Sequence, residues 1–209
     1  MKVLAVNGSH RKGMNVAKML YAALEEAGKS GLDTELVEIT DFEIKPCLSC
    51  NKCLFKPECK IDDDDMGVLY EKLQEADGII LGSPVYFSNV TGRLKNFMDR
   101  TRPLHMTQNY LENKVGAGLV HAGLRNGGQE LAMEIIQHFL IEHGLLVVKD
   151  RRGNQPIISL GAMGTMCDSF DGKRMNFKES VHEDELGMES SRRLGKNIAD
   201  VIKKLNLQN

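Results

Sequence analysis

Four of the five cysteines, Cys47, Cys50, Cys53 and Cys59, fall in a single short run with the pattern Cys-x2-Cys-x2-Cys-x5-Cys. Thiolates at x2 spacing converge readily on one metal centre, and iron–sulfur clusters commonly use three close cysteines plus a fourth. A structural zinc more often takes two Cys pairs with a longer stretch between them. The even triplet and short final gap favour a [4Fe–4S] cluster over zinc. Free thiols in a surface loop are the remaining alternative. An odd cysteine count argues against a disulfide framework. Cys167 lies far downstream and reads as a spare thiol.

The elements that must position these thiols are legible from apolar patterning. Lys2 to Val6 reads as a buried strand, and Val16, Met19, Leu20, Ala23 and Leu24 repeat at helical spacing. Thr34 to Ile39 is a second strand, and the cysteine loop runs from about Asp41 to Ile61. Met66, Leu69, Leu73 and Ala76 mark the next helix, followed by a third strand from Gly78 to Leu81. Val90, Leu94, Phe97 and Met98 lie on a further helix. A fourth strand is expected at Val115 to Val120, a helix through Leu131, Ile135, Phe139 and Leu140, and a fifth strand at Leu145 to Val148. Strict alternation with nearly continuous apolar strands implies an α/β fold with a parallel sheet covered on both faces. Residues 150–185 show no clean period and read as an irregular extension, before a C-terminal helix over 186–206. The whole chain, 1–209, reads as one domain.

In open parallel sheets, ligands sit beyond the carboxyl ends of the strands. Three loops fall there. Gly8 to Val16 combines Ser9, Arg11, Lys12 and Asn15 with free amides at a helix N-terminus, which are the parts of a phosphate cradle. It lacks both the dinucleotide fingerprint and the Walker pattern, so a phosphate monoester fits better; an ordinary turn with Asn15 as N-cap is the bland alternative. Gly82 to Asn89 carries Pro84 and the aromatic pair Tyr86 and Phe87, which either face a flat ring or pack in the core. His121 to Glu130 holds three glycines that permit close backbone approach, or that serve only turn geometry.

Asn7-Gly8-Ser9 with Arg11 and Asn15, Ser83-Pro84-Val85-Tyr86, Leu94-Lys95 and Asp99-Arg100 together resemble the NADPH-dependent FMN reductase branch of the flavodoxin-like superfamily. The similarity covers about the first 150 residues. It implies strand order 2-1-3-4-5, a three-layer sandwich and bound FMN. On that resemblance Ser9, Arg11, Gly13, Asn15 and Val16 hold the phosphate, with Lys12 or backbone amides compensating for Met14, where many relatives have Ser or Thr. Ser83, Pro84, Val85, Tyr86, Phe87, Ser88 and Asn89, with His121 and Gly123, border the isoalloxazine. The fold together with the cysteine motif is similar to the iron–sulfur flavoproteins of anaerobic prokaryotes, as is the stretch beginning Asn126-Gly127. That resemblance implies a homo-oligomer, dimer or tetramer, in which cluster and FMN approach each other. It implies electron transfer from a ferredoxin-like donor, or NAD(P)H, to oxygen, peroxide or a quinone-like acceptor. An NAD(P)H-dependent FMN or quinone reductase without a functional cluster, and a non-enzymatic electron carrier or redox sensor, are the rival readings.

Composition narrows the rest. A net charge of -2 offers no basic surface for nucleic acid or anionic lipid. The apolar N-terminal run is too short for a signal core or a membrane span, so a cytoplasmic protein is expected. His10, His105, His138, His143 and His182 have no metal-ligand spacing. Asp62 to Asp65 read as helix-capping acids rather than a hard-metal site. No catalytic triad or carboxylate pair is evident.

Overall fold

The computed structural model describes residues 1–151, 153 and 160–206. Five of the six parallel strands of the sheet are β1 (Lys2–Asn7), β2 (Asp33–Glu38), β3 (Gly78–Pro84), β4 (Val115–Ala122) and β5 (Leu146–Val147), in the order β2-β1-β3-β4-β5. The helices between them are α1 (Asn15–Lys29), α2 (Met66–Glu75), α3 (Gly92–Arg100) and α4 (Gln129–Glu142). This is the expected flavodoxin-like sandwich. Alternation along β1 divides the core. Val3 and Ala5 face α1 and the C-terminal helix, whereas Leu4 and Val6 face α2, α3 and α4. β4 is buried along its whole length because helices cover both its faces.

The extension departs from the irregular segment expected. It carries β6 (Ala162–Thr165), a hairpin of β7 (Cys167–Phe170) and β8 (Met175–Phe177), and then α5 (Glu185–Asn206). The strands are three or four residues long, too short to show a period in sequence. The part of the expected extension at residues 152 and 154–159 lies outside the described residues. β5 is shorter than expected and pairs only with Val115 and Gly116; β6 takes over beside Leu119 to Ala122. The fifth position of the sheet is thus shared by two strands. The second brings Gly164 level with His121 at the carboxyl edge.

α5 closes the face opposite the cysteine loop by lying on α1. At Gly195 a Cβ would stand 1.9 Å from the carbonyl oxygen of Ala23, so only glycine permits this approach. Backbone cannot yield as a side-chain tip can. Gly195→Ala is therefore expected to cost at least the ~1–3 kcal/mol typical of overpacking, read as a lower urea midpoint. An unchanged midpoint would contradict this packing.

Candidate functional site

The carboxyl ends of β1, β3 and β4 bring the three expected loops together. Gly8 donates its N–H to the Gly82 carbonyl at 2.8 Å, tying the first loop to the second. A Cβ on Gly8 would meet Leu94 Cβ at 2.6 Å, so glycine lets α3 approach here. Buried Asn7 organises the first loop: its Oδ1 accepts from Ser9 N at 3.0 Å, and its Nδ2 donates to Glu38 at 2.7 Å. Ser9 Oγ accepts from Arg11 N at 3.0 Å. Glu38 also accepts from Gly13 N at 3.0 Å, clamping both ends of the loop to β2. Glu38 was not among the expected site residues; its only signal was a carboxylate at the carboxyl end of β2, directly after the apolar pair Leu36 and Val37.

Two expectations for this loop change. Asn15 is the first helical residue and is buried, while Met14 is the N-cap and has no side-chain cap bond. The first amides of α1 therefore lack a side-chain partner, as a phosphate cradle requires. Lys12 pairs with Asp41 rather than standing free to compensate for Met14. Arg11, Lys12, Gly13 and Met14 form the exposed rim, and Ser9, Asn15 and Val16 its buried floor.

In the second loop, Ser83 is fully buried, accepts from Thr91 N at 3.1 Å and donates to the Pro84 carbonyl at 2.8 Å. Val85 N bonds the His121 carbonyl at 2.8 Å. Tyr86 and Asn89 exchange backbone hydrogen bonds of 2.9 and 3.1 Å around Phe87 and Ser88, whose φ angles are +49° and +59°. Two consecutive positive φ angles without glycine are uncommon, and an aromatic residue there is strained. The turn holds Phe87 wholly in solvent, which rules out the core alternative for it. Tyr86 is half exposed and lies parallel to the His10 ring, with centroids 5.6 Å apart.

The third loop leaves Gly123 and Asn126 exposed and Gly127 partly buried. Gln129 fastens it, accepting from Gly127 N at 2.7 Å and donating to the Leu124 carbonyl at 3.1 Å. A Cβ on Gly128 would strike Ser88, so the second and third loops touch. His121 is buried and its Nε2 has no partner. Burial pushes its pKa down to about 4 against the pull of Asp184. A neutral imidazole with an unused nitrogen at this edge suits a ring bearing polar atoms. Asp184, from the extension, accepts from Thr165 N at 2.7 Å and holds β6 against α5. It had no signature in the sequence.

The cysteine loop is closed at its neck. Asp65 bonds the backbone of Glu43 through both its N–H and its carboxylate, at 3.0 and 2.7 Å. Asp64 accepts from Lys45 N at 2.9 Å, and Asp63 pairs with Lys45 Nζ. Arg100 then joins the neck to α3. It forms a two-pronged ion pair with Asp64 and donates to the Lys45 carbonyl at 2.6 Å. The acids expected only to cap α2 thus mainly close a loop. Asp65 is the N-cap but makes no side-chain cap bond, and Asp64 supplies the bond to Met66 N at 3.2 Å.

Beyond the neck, all four motif cysteines line one pocket, with Arg100, Arg102 and Pro103 from the α3 end. Ser49 and Asn51, between the first three cysteines, have φ of +50° and +59°, which turns the chain around the pocket. Ser49 N approaches Cys47 Sγ at 3.5 Å. Arg102 donates to Asn51 Oδ1 at 3.2 Å. Cys53 is buried, Cys59 half-buried, and Cys47 and Cys50 exposed; all are free thiols. Among the described residues, no group of three or more His, Cys, Asp or Glu closes around a single ion. Cys167 sits on β7, away from this pocket.

Residues 1–153 match the NADPH-dependent FMN reductase family. An iron–sulfur flavoprotein of Methanocaldococcus jannaschii is 39% identical over 97% of this chain and 98% of its own length. The chain belongs to the iron–sulfur flavoproteins of the NADPH-dependent FMN reductase family. Another of these, from Methanosarcina thermophila, is 38% identical over 97% of this chain and 95% of its own. Among solved structures, the NAD(P)H:quinone oxidoreductase of Methanothermobacter marburgensis superposes with a TM-score of 0.64 at 17% identity, covering 95% and 96% of the two chains, which speaks to the fold. As a family member the chain is a flavin-dependent oxidoreductase. Among the described residues no helix is long and apolar enough to cross a membrane.

The buried histidines fix a pH dependence. His121 and His143 both have pKa values lowered to about 4 by burial, against an ordinary value of 6.5. The unfolded chain therefore binds more protons between these values, and stability falls as pH drops from about 6.5 toward 4. Each group accounts for on the order of 3 kcal/mol across that window. Urea midpoints of flavin-free protein are expected to hold steady above pH 7 and to decline below it, with His121→Gln removing about half of the decline. An undiminished decline in that variant would sink the assignment to His121.

Proposed function

We propose that this protein binds FMN at the β1, β3 and β4 loops and a [4Fe–4S] cluster at Cys47, Cys50, Cys53 and Cys59, and moves electrons between them. Bound FMN exchanges electrons in pairs or singly and a cluster exchanges them singly, so together they convert one currency into the other. The observation that carries the reading is the pocket shared by all four thiols, in a loop whose ends are locked by Asp64 and Arg100.

The residues divide the work on FMN. Ser9, Arg11, Gly13, Asn15, Val16 and the uncapped α1 amides take the phosphate, with Lys12 and Met14 at the rim. Ser83, Pro84, Val85, Tyr86, Phe87, Ser88 and Asn89 shape one border of the ring. His121, Gly123, Asn126 and Gly127 shape another, and the unused His121 Nε2 offers a hydrogen bond. A ferredoxin-like protein or NAD(P)H is the proposed donor, and oxygen, peroxide or a quinone-like compound the acceptor. Direct reduction by NAD(P)H is kept as a second reading because the family description names NADPH, and because a 27% identical relative from Brucella anthropi is an NAD(P)H dehydrogenase (quinone).

Anaerobically purified protein is expected to contain iron, acid-labile sulfide and FMN. Cys53→Ala is expected to remove the first two but to leave the FMN. Wild-type protein with zinc or no metal overturns the cluster; brisk NAD(P)H turnover by the iron-free variant favours the second reading.

Homo-oligomerisation is the companion proposal. Phe170 and Phe177 on the β7–β8 hairpin are 62% and 53% exposed, and Leu186 is 68% exposed. Large apolar side chains left in solvent on a short hairpin commonly mark an interface. Phe170→Asp combined with Phe177→Asp is expected to lower the mass measured by light scattering without changing the far-ultraviolet circular dichroism. An unaltered mass places the interface elsewhere.

A further inference from the structure

Arg100 heads the largest side chains buried within the described residues and is 1% exposed. It ends α3, where a cation ordinarily reaches into water. Its two terminal nitrogens are spent on Asp64 and the Lys45 carbonyl. Its Nε is buried with no partner. A buried donor left so is costly unless something accepts from it. The guanidinium lines the same pocket as the four motif cysteines. Burial alone would weaken its hold on its proton, but the Asp64 hydrogen bond and then the nearby Cys59 side chain strengthen it, and the net direction is up. Tyr70, whose hydroxyl donates to the Arg100 carbonyl at 2.6 Å, also lies near Cys59. The cation, its free N–H and one cysteine therefore share one side of the pocket.

We infer that Arg100 is a positioning residue for the cluster: Nε–H donates to sulfur on the Cys59 side, and the fixed charge raises the cluster's reduction potential. The inference rests on the cluster reading above. Thiolate-ligated clusters carry negative charge, and each added electron increases it. A cation held nearby, screened poorly because it is buried, lowers the cost of that electron. The single electron comes from the donor and leaves to the acceptor. Arginine stays protonated throughout and no proton is exchanged. Asp64 opposes this effect while orienting it: it bonds both terminal nitrogens of the guanidinium and does not itself line the cysteine pocket.

The pair gives a test by sign. Cluster-loaded wild type, Asp64→Asn and Arg100→Gln are titrated electrochemically under anaerobic conditions, with iron measured in each. Asp64→Asn is expected to raise the midpoint potential and Arg100→Gln to lower it. A scaffold role alone predicts shifts of one sign, or none, and either result overturns the inference. A second measurement needs no variant. In wild-type protein labelled with 15N-arginine, electron–nuclear double resonance of the reduced cluster is expected to show one weakly coupled arginine nitrogen. Its absence overturns the Nε–H contact even if the variants fail to fold. Wild-type protein without iron sinks the cluster reading and this inference together, whereas iron present with unmoved potentials sinks only the inference.

Discussion

The Asp64–Arg100 ion pair is the constraint on which the cysteine site depends. Both side chains are 1% exposed, and the contact joins the neck of the cysteine loop to the last turn of α3. Buried ion pairs often contribute little net stability, because desolvation consumes most of their attraction. Their value is positional: two planar groups meeting edge to edge tolerate few geometries. Here that geometry fixes where the chain enters the cysteine loop at residue 45 and where it returns at residue 64, ahead of α2. Asn96 reinforces the arrangement, donating to the Ile44 carbonyl at 2.7 Å. Without such a lock, a loop with two exposed thiols would have no reason to present four of them to one pocket.

The same helix serves both sites. α3 starts beside the proposed flavin loops, where Thr91 caps it, donates to the Gly8 carbonyl at 2.6 Å and accepts from Leu94 N at 3.1 Å. It ends at Arg100, against the cysteine loop. Leu94 and Phe97 bury its inner face completely. A short rigid rod therefore sets the spacing between the proposed FMN phosphate loop and the proposed cluster loop. Rigid elements hold functional groups better than loops do. One groove carries in its lining both His10 of the first loop and Cys47 of the cysteine loop, together with Phe42 and Asn96.

Much of this was legible in advance, for definable reasons. Strand and helix positions followed from burial on two faces of a parallel sheet, which leaves continuous apolar runs. The three loops followed from the rule that ligands sit at strand carboxyl ends. The extension was not legible, because its strands are stabilised by β4 and by Asp184 rather than by local pattern. Met14 as N-cap ran against intrinsic preference, since an uncapped terminus is worthwhile only when something else takes the amides.

What the sequence by itself determined was the inventory: four thiols in one loop, three loops at strand carboxyl ends, and the strand–helix alternation of a parallel sheet, whose order 2-1-3-4-5 was implied by the family resemblance. Local spacing carries those, because periodicity and motif spacing are properties of neighbours along the chain. What only the tertiary structure decided was partnership. Asp64 and Arg100 are 36 residues apart, and Asn7 and Glu38 are 31 apart. A charge in sequence does not say which opposite charge it will meet. Folding decides that by removing water from both, after which each must find the other.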